Sequence, residues 1–108
     1  MPIDDNQLRL ANVREKFGQA LNELATEPGR PQEWLRAAWL RFHTVRPDDL
    51  PPGELRKLFI GIRSDLTSEE PTGNEGSVAA TLRKMNNKQA VQLVDRIMAF
   101  YRKIRAAP

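Results

Sequence analysis

Apolar residues recur at intervals of three or four along most of the chain, and Pro, Gly or Asn residues interrupt the pattern. Side chains at this spacing share one face of an α-helix, so each periodic segment predicts an amphipathic helix. No segment shows the period of two that is typical of strands. We therefore predict an all-α, compact bundle of four to five helices, at about 5–26, 31–45, 52–67, 77–85 and 87–105.

Residues that begin or end helices set these boundaries. Asp4 or Asp5 can accept hydrogen bonds from the free amides of a first helical turn. Pro28 ends the first helix, because proline disfavours helical geometry in the residue before it. Asn86, followed three positions later by Gln89, resembles an N-terminal capping pair. These signals predict the start of the first helix, its end, and the start of the last helix.

The composition favours a single domain. The chain has 108 residues, 40% of them hydrophobic and 29% charged, which is ordinary for a globular protein and enough for one core. We expect one helical-bundle domain over residues 1–108. Within it, residues 67–76 are turn-forming and acidic without any apolar period, and we expect them to form a mobile acidic loop.

Cysteine and histidine usage excludes several kinds of chemistry. The chain has no cysteine and one histidine, so we predict no disulfide, no thiolate nucleophile and no Cys- or His-rich metal site. We expect no cofactor and no small-molecule substrate. The first twenty residues include acids and lack a long apolar run, which predicts neither a signal peptide nor a membrane partner. A cytoplasmic protein is the resulting expectation.

Positive charge is concentrated towards the C-terminus. Residues 76–108 hold seven bases and one acid, a balance of +6, whereas residues 1–75 hold ten bases and thirteen acids, a balance of −3. Such a region can contact nucleic-acid phosphates, or its bases can simply complement the dipole of the last helix. The candidates for phosphate contact are Arg83, Lys84, Lys88, Arg96 and Lys103.

Some apolar residues point away from the predicted core. On a helical wheel, Leu40 lies almost opposite the apolar face of its helix, Trp39 lies at the margin, and Ile60 projects from the next helix. Arg36 and His43 lie on the same side as Leu40. Because surplus apolar surface is often an association site, these five residues are the candidates for protein interaction.

Arg36 and His43 also suggest an enzymatic alternative. Six residues separate them, a spacing that resembles the Arg-to-His motif of HEPN ribonucleases, where these side chains act on RNA at a dimer interface. The resemblance is confined to this segment, and Ala37 stands where the motif favours a polar side chain. A general acid or base needs a positioned partner, and the sequence indicates none.

We therefore predict a non-catalytic, macromolecule-binding helical module. It would act as an adaptor, inhibitor or regulator through protein–protein contacts, with a homodimer as one form of such contact. Nucleic-acid binding by the basic C-terminal helix is the alternative function, and a ribonuclease role for Arg36 and His43 is a third hypothesis.

Overall fold

The computed structural model describes residues 4–71 and 76–107. Within these ranges the chain forms five α-helices, one turn of 3-10 helix and no strand, which confirms the all-α bundle. The helices are α1 (Asp5–Thr26), α2 (Pro31–Phe42), α3 (Glu54–Leu66), α4 (Ser77–Lys84) and α5 (Asn87–Ala106), with the 3-10 turn at Pro47–Asp49.

The predicted caps of the first and last helices are confirmed. The Asp4 side chain accepts a 2.7 Å hydrogen bond from the Gln7 amide, and the Gln7 side chain accepts one from the Asp4 amide. Asn86 and Gln89 form the same reciprocal pair at the start of α5, at 2.8 and 3.0 Å. Each pair satisfies two backbone polar groups that the helix itself leaves free.

Two predicted boundaries shift where backbone geometry forbids a helix. The second helix ends at Phe42 instead of residue 45, because the Val45 amide donates to the Phe42 carbonyl in a turn, after which Arg46 takes an extended conformation before Pro47. The third helix begins at Glu54 instead of residue 52, because Gly53 precedes it with a φ of +123°. Such a φ is rare for residues with a side chain.

The connection between α1 and α2 depends on a glycine. Gly29 has a φ of +96°, and a Cβ atom there would lie 1.7 Å from the Glu33 carboxylate. That carboxylate accepts a hydrogen bond from the Arg30 amide, and the Trp34 indole donates one to the Gly29 carbonyl at 3.1 Å. The tight turn makes α1 and α2 the most extensively packed pair of helices.

Phe17 of α1 lies at the centre of the core. Its ring stacks on Phe42 of α2 at a centroid distance of 4.4 Å. It meets Phe100 of α5 at 4.9 Å and Phe59 of α3 at 6.1 Å, in both cases edge to face. All four rings are buried. One aromatic cluster therefore joins the four longest helices.

The helix α5 packs antiparallel to α1. The half-buried Arg14 side chain donates to the carbonyl of Ile104 at 2.8 Å and also to that of Ala107. Near the middle of α1, Gly18 faces the Tyr101 phenol, and a Cβ atom there would lie 3.2 Å from the phenol oxygen. Arg14 thus satisfies carbonyls that the end of α5 leaves unpaired, with a cation at the negative end of the helix dipole.

The predicted acidic loop lies partly outside the described residues, which resume at Gly76 after residue 71. The described part contacts α4: the Glu69 amide donates to the Thr81 hydroxyl at 3.0 Å, and its carboxylate pairs with Lys84 at 3.2 Å. Across the described chain, no helix combines the length and apolar character that crossing a membrane requires.

Phe17→Ala is expected to lower the free energy of unfolding by about 3–5 kcal/mol, because it removes the ring that three others contact and leaves a cavity. Urea titration followed by circular dichroism measures this loss. Leu8→Ala is the control, since Leu8 is exposed and its truncation should change stability by less than about 0.5 kcal/mol. A similar loss for both variants would contradict the central position of Phe17.

Candidate interaction surface

The outward side of α2 carries a stripe of four side chains. Trp39 and Leu40 each lie three or four positions from both Arg36 and His43, so the four side chains form one stripe on the helix surface. Leu40 is 62% exposed, and Trp39 is partly buried. The His43 ring nitrogen Nδ1 lies 3.0 Å from the Leu40 carbonyl. Four of the five predicted interaction residues therefore share one side of one helix.

A neighbouring arginine connects the fifth residue, Ile60, to this stripe. Ile60 is 46% exposed and lies between Arg56 and Arg63 on one side of α3. The Arg63 guanidinium carbon is 6.0 Å from the centre of the Trp39 ring, and its Nη1 donates to the Val45 carbonyl at 3.3 Å. We call these side chains the Trp39 face: Arg36, Trp39, Leu40, His43, Ile60 and Arg63.

Contacts on several sides fix the Trp39 ring in place. It meets the buried Phe42 ring edge to face at 5.4 Å, and its centroid lies 6.3 Å from the His43 ring. The Arg63 cation is within the distance at which it is attracted to the indole π system. A partly exposed tryptophan held in this way can contact a partner without losing much conformational entropy.

The structure also reveals a charge pattern that the sequence reasoning missed. Residues 34–47 and 55–64 together contain six bases and no acid. Arg41, one of the six, pairs with Glu23 of α1 at 2.7 Å, on the other flank of α2. The signal was present in the sequence, but residues 48–54, which separate the two segments, contain three acids that hide it in a count along the chain. The contact between Arg63 and Trp39 brings the two segments together.

The basic stripe predicted for phosphate contact is largely paired with acids. Three of its cations form ion pairs with acids of the described residues: Lys84 with Glu69, Arg96 with Asp65, and Lys103 with Glu54. Lys88 is exposed and forms no ion pair within the described chain, and Arg83 lies in the last turn of α4. Because exposed ion pairs are worth only about 0–1 kcal/mol, a phosphate group can compete for these cations.

Two of these ion pairs border a cleft of about 360 Å³ between α3, α4 and α5. The Thr81 hydroxyl in its wall accepts from the Glu69 amide and donates to the Ser77 carbonyl at 2.7 Å. In residues 4–71 and 76–107, no three histidine, aspartate or glutamate side chains are grouped as a metal site requires. Thr81 and the two ion pairs in the wall of the cleft therefore already have partners within the fold.

Comparison with protein-family models, with curated proteins and with solved structures gives no match for this chain. Its surfaces are therefore interpreted from their own chemistry.

Leu40→Glu and Ile60→Glu are each expected to change the free energy of unfolding by less than about 0.5 kcal/mol, because both side chains are exposed on helices. Leu35→Glu, on the buried side of α2, should unfold the protein, since it would bury an unpaired charge. Circular dichroism and thermal denaturation of the three variants check this. A loss of helicity in Leu40→Glu or Ile60→Glu would show that the residue belongs to the core.

Proposed function

We propose that this protein is a small non-catalytic module of the cytoplasm that binds another protein through the Trp39 face, as an adaptor, inhibitor or regulator. The observation that carries the proposal is that two exposed aliphatic side chains, Leu40 and Ile60, lie on the two helices that the contact between Trp39 and Arg63 joins.

The composition of the face supports protein binding. Tryptophan and arginine are the side chains most enriched among the residues that dominate binding energy at protein interfaces. Here they are adjacent, and the aliphatic groups beside them would lose contact with water when a partner covers them.

Immobilised protein should retain a partner from a lysate of its source cells, and Leu40→Glu or Ile60→Glu should reduce that retention at least about tenfold, since each places a charge in an apolar contact. Leu8→Glu is the matched control. Leu8 is also exposed and apolar, but it lies in the first turn of α1, away from the face. Quantitative mass spectrometry of the retained proteins measures the difference.

A protein retained by the wild type and by Leu8→Glu, but lost from both face variants, is the expected result. If all four preparations retain the same proteins in the same amounts, the Trp39 face is not the binding surface and the proposal fails.

Nucleic-acid binding is the second candidate function. The balance of +6 over residues 76–108 favours it, because a basic surface attracts a polyanion whatever its sequence. Contacts to the phosphate backbone fit the basic stripe better than base reading, since much of α5 is buried against the core.

If this second function operates, the affinity for a single strand or a mixed duplex should fall at least about tenfold between about 50 and 200 mM salt, through counterion release. The double variant Arg96→Glu with Lys103→Glu should abolish binding. Arg9→Glu with Lys16→Glu on α1 makes the same change in net charge elsewhere and should retain most of it. Fluorescence anisotropy of a labelled oligonucleotide measures both, and absence of binding at low salt would eliminate this candidate.

A further inference from the structure

The orientation of α3 determines which of its charged side chains lie near the Trp39 face. Its two acids, Glu54 and Asp65, pair with Lys103 and Arg96 on α5. Of the bases of α3, Arg56 and Arg63 lie on the side opposite these acids, and Lys57 lies between the two sides, one turn after Glu54. None of these three forms an ion pair with a carboxylate within the described residues. The side of α3 next to Trp39 is therefore positive.

Carboxylates border this positive region. On the α1 side of α2, Glu23, Glu27 and Glu33 line a groove together with Arg36 and Leu40. After the end of α2, Asp48 and Asp49 line a cleft with Arg9 and Arg56. Lys57 and Arg63 line neither of these two clefts, and they lie three positions before and after the exposed Ile60.

We propose that the partner of the Trp39 face is an acidic amphipathic segment of another protein. The apolar side chains of that segment would cover Leu40 and Ile60, while its carboxylates would pair with Arg63 and Lys57. Arg63 is suited to this role because a guanidinium has five N–H donors in a planar fork that matches a carboxylate. The hydrogen bond to Val45 uses one of them and fixes the position of the group. This inference rests on the proposed function and specifies the chemistry of its partner.

Charge argues against a second copy of this chain as the partner. In a symmetric dimer the same patch meets itself, so Arg63 and Lys57 would lie close to the same cations of the other copy. Like charges at an interface are unfavourable, and the carboxylates that border the face line the groove of Arg36 and Leu40 on α2, not the side of α3 that carries Arg63. The Trp39 ring is partly buried and packs on Phe42, and the exposed Leu40 and Ile60 offer no surface for base stacking, which favours a protein segment over a nucleic acid.

The test uses the full chain and a fluorescent helical peptide of about 18 residues, with Leu along one stripe and Glu at the remaining positions. Two further peptides serve as comparisons: one replaces every Glu by Gln, and the other scrambles the order of the residues. A single-stranded oligothymidine represents the nucleic-acid outcome. Anisotropy titrations give the affinity of each probe for the wild type and for the variants.

We expect the acidic amphipathic peptide to bind, and its affinity to fall at least about tenfold in Lys57→Glu and in Leu40→Glu. Lys88→Glu is the matched control: Lys88 is also an exposed lysine without an ion pair in the described chain, but it lies at the start of α5. It should leave the affinity within about twofold. The Gln peptide and the scrambled peptide should each bind at least about tenfold more weakly.

Three results would overturn the inference: no binding of the acidic peptide, equal losses in Lys57→Glu and Lys88→Glu, or tighter binding of oligothymidine that Lys57→Glu abolishes. The lysate experiment distinguishes a failure of the proposed docking function from a failure of the proposed acidic partner. If Leu40→Glu still loses the cellular partner while the acidic peptide does not bind, the docking function stands and the acidic partner is wrong. If neither experiment depends on Leu40 and Ile60, both proposals fall.

Discussion

The contact of four phenylalanine rings is the constraint on which the rest of this structure depends. The chain contains four phenylalanines, and each lies on a different helix. Phe17 touches the other three, so the cluster fixes the rotation of α1, α2, α3 and α5 about their axes at one place. Since a close-packed core leaves few alternative arrangements, the side that each helix presents to solvent follows from this contact.

The Trp39 face is the outward consequence of that packing. Phe42 stacks on Phe17 towards the interior and meets Trp39 towards the surface, so a single residue separates the centre of the core from the candidate site. After the end of α2 the chain turns and leads into α3. Two arginines of α3 donate hydrogen bonds to backbone carbonyls of this connection: Arg63 to Val45 and Arg56 to Leu50. Arg63 therefore stabilises the fold locally and contributes the cation of the face.

Much of the fold could be predicted because its determinants are local. The start of α1 and α5 needed only the capping pairs at Asp4 and Asn86, which act within one helical turn. The exposure of Leu40 and Ile60 likewise follows from their angle to the apolar stripe of their own helices. The positions that escaped prediction depend on neighbours distant in sequence. Arg63 gave no signal of its own, because its importance comes from Trp39 on another helix.

Ion pairs between α3 and α5 connect the two candidate surfaces, the Trp39 face and the basic stripe of the C-terminal region. In the sequence the C-terminal region is strongly basic, yet α3 turns Asp65 towards Arg96 and Glu54 towards Lys103, which lowers the potential along α5. Arg63 lies on the side of α3 away from these acids, and neither Arg63 nor Lys57 pairs with a carboxylate of the described chain. Ion pairing between α3 and α5 thus neutralises part of the positive charge at the end of the sequence, while the cation beside Trp39 has no carboxylate partner among the described residues. A count of charges along the chain therefore misses a second basic surface, which forms only when Arg63 of α3 meets Trp39 of α2.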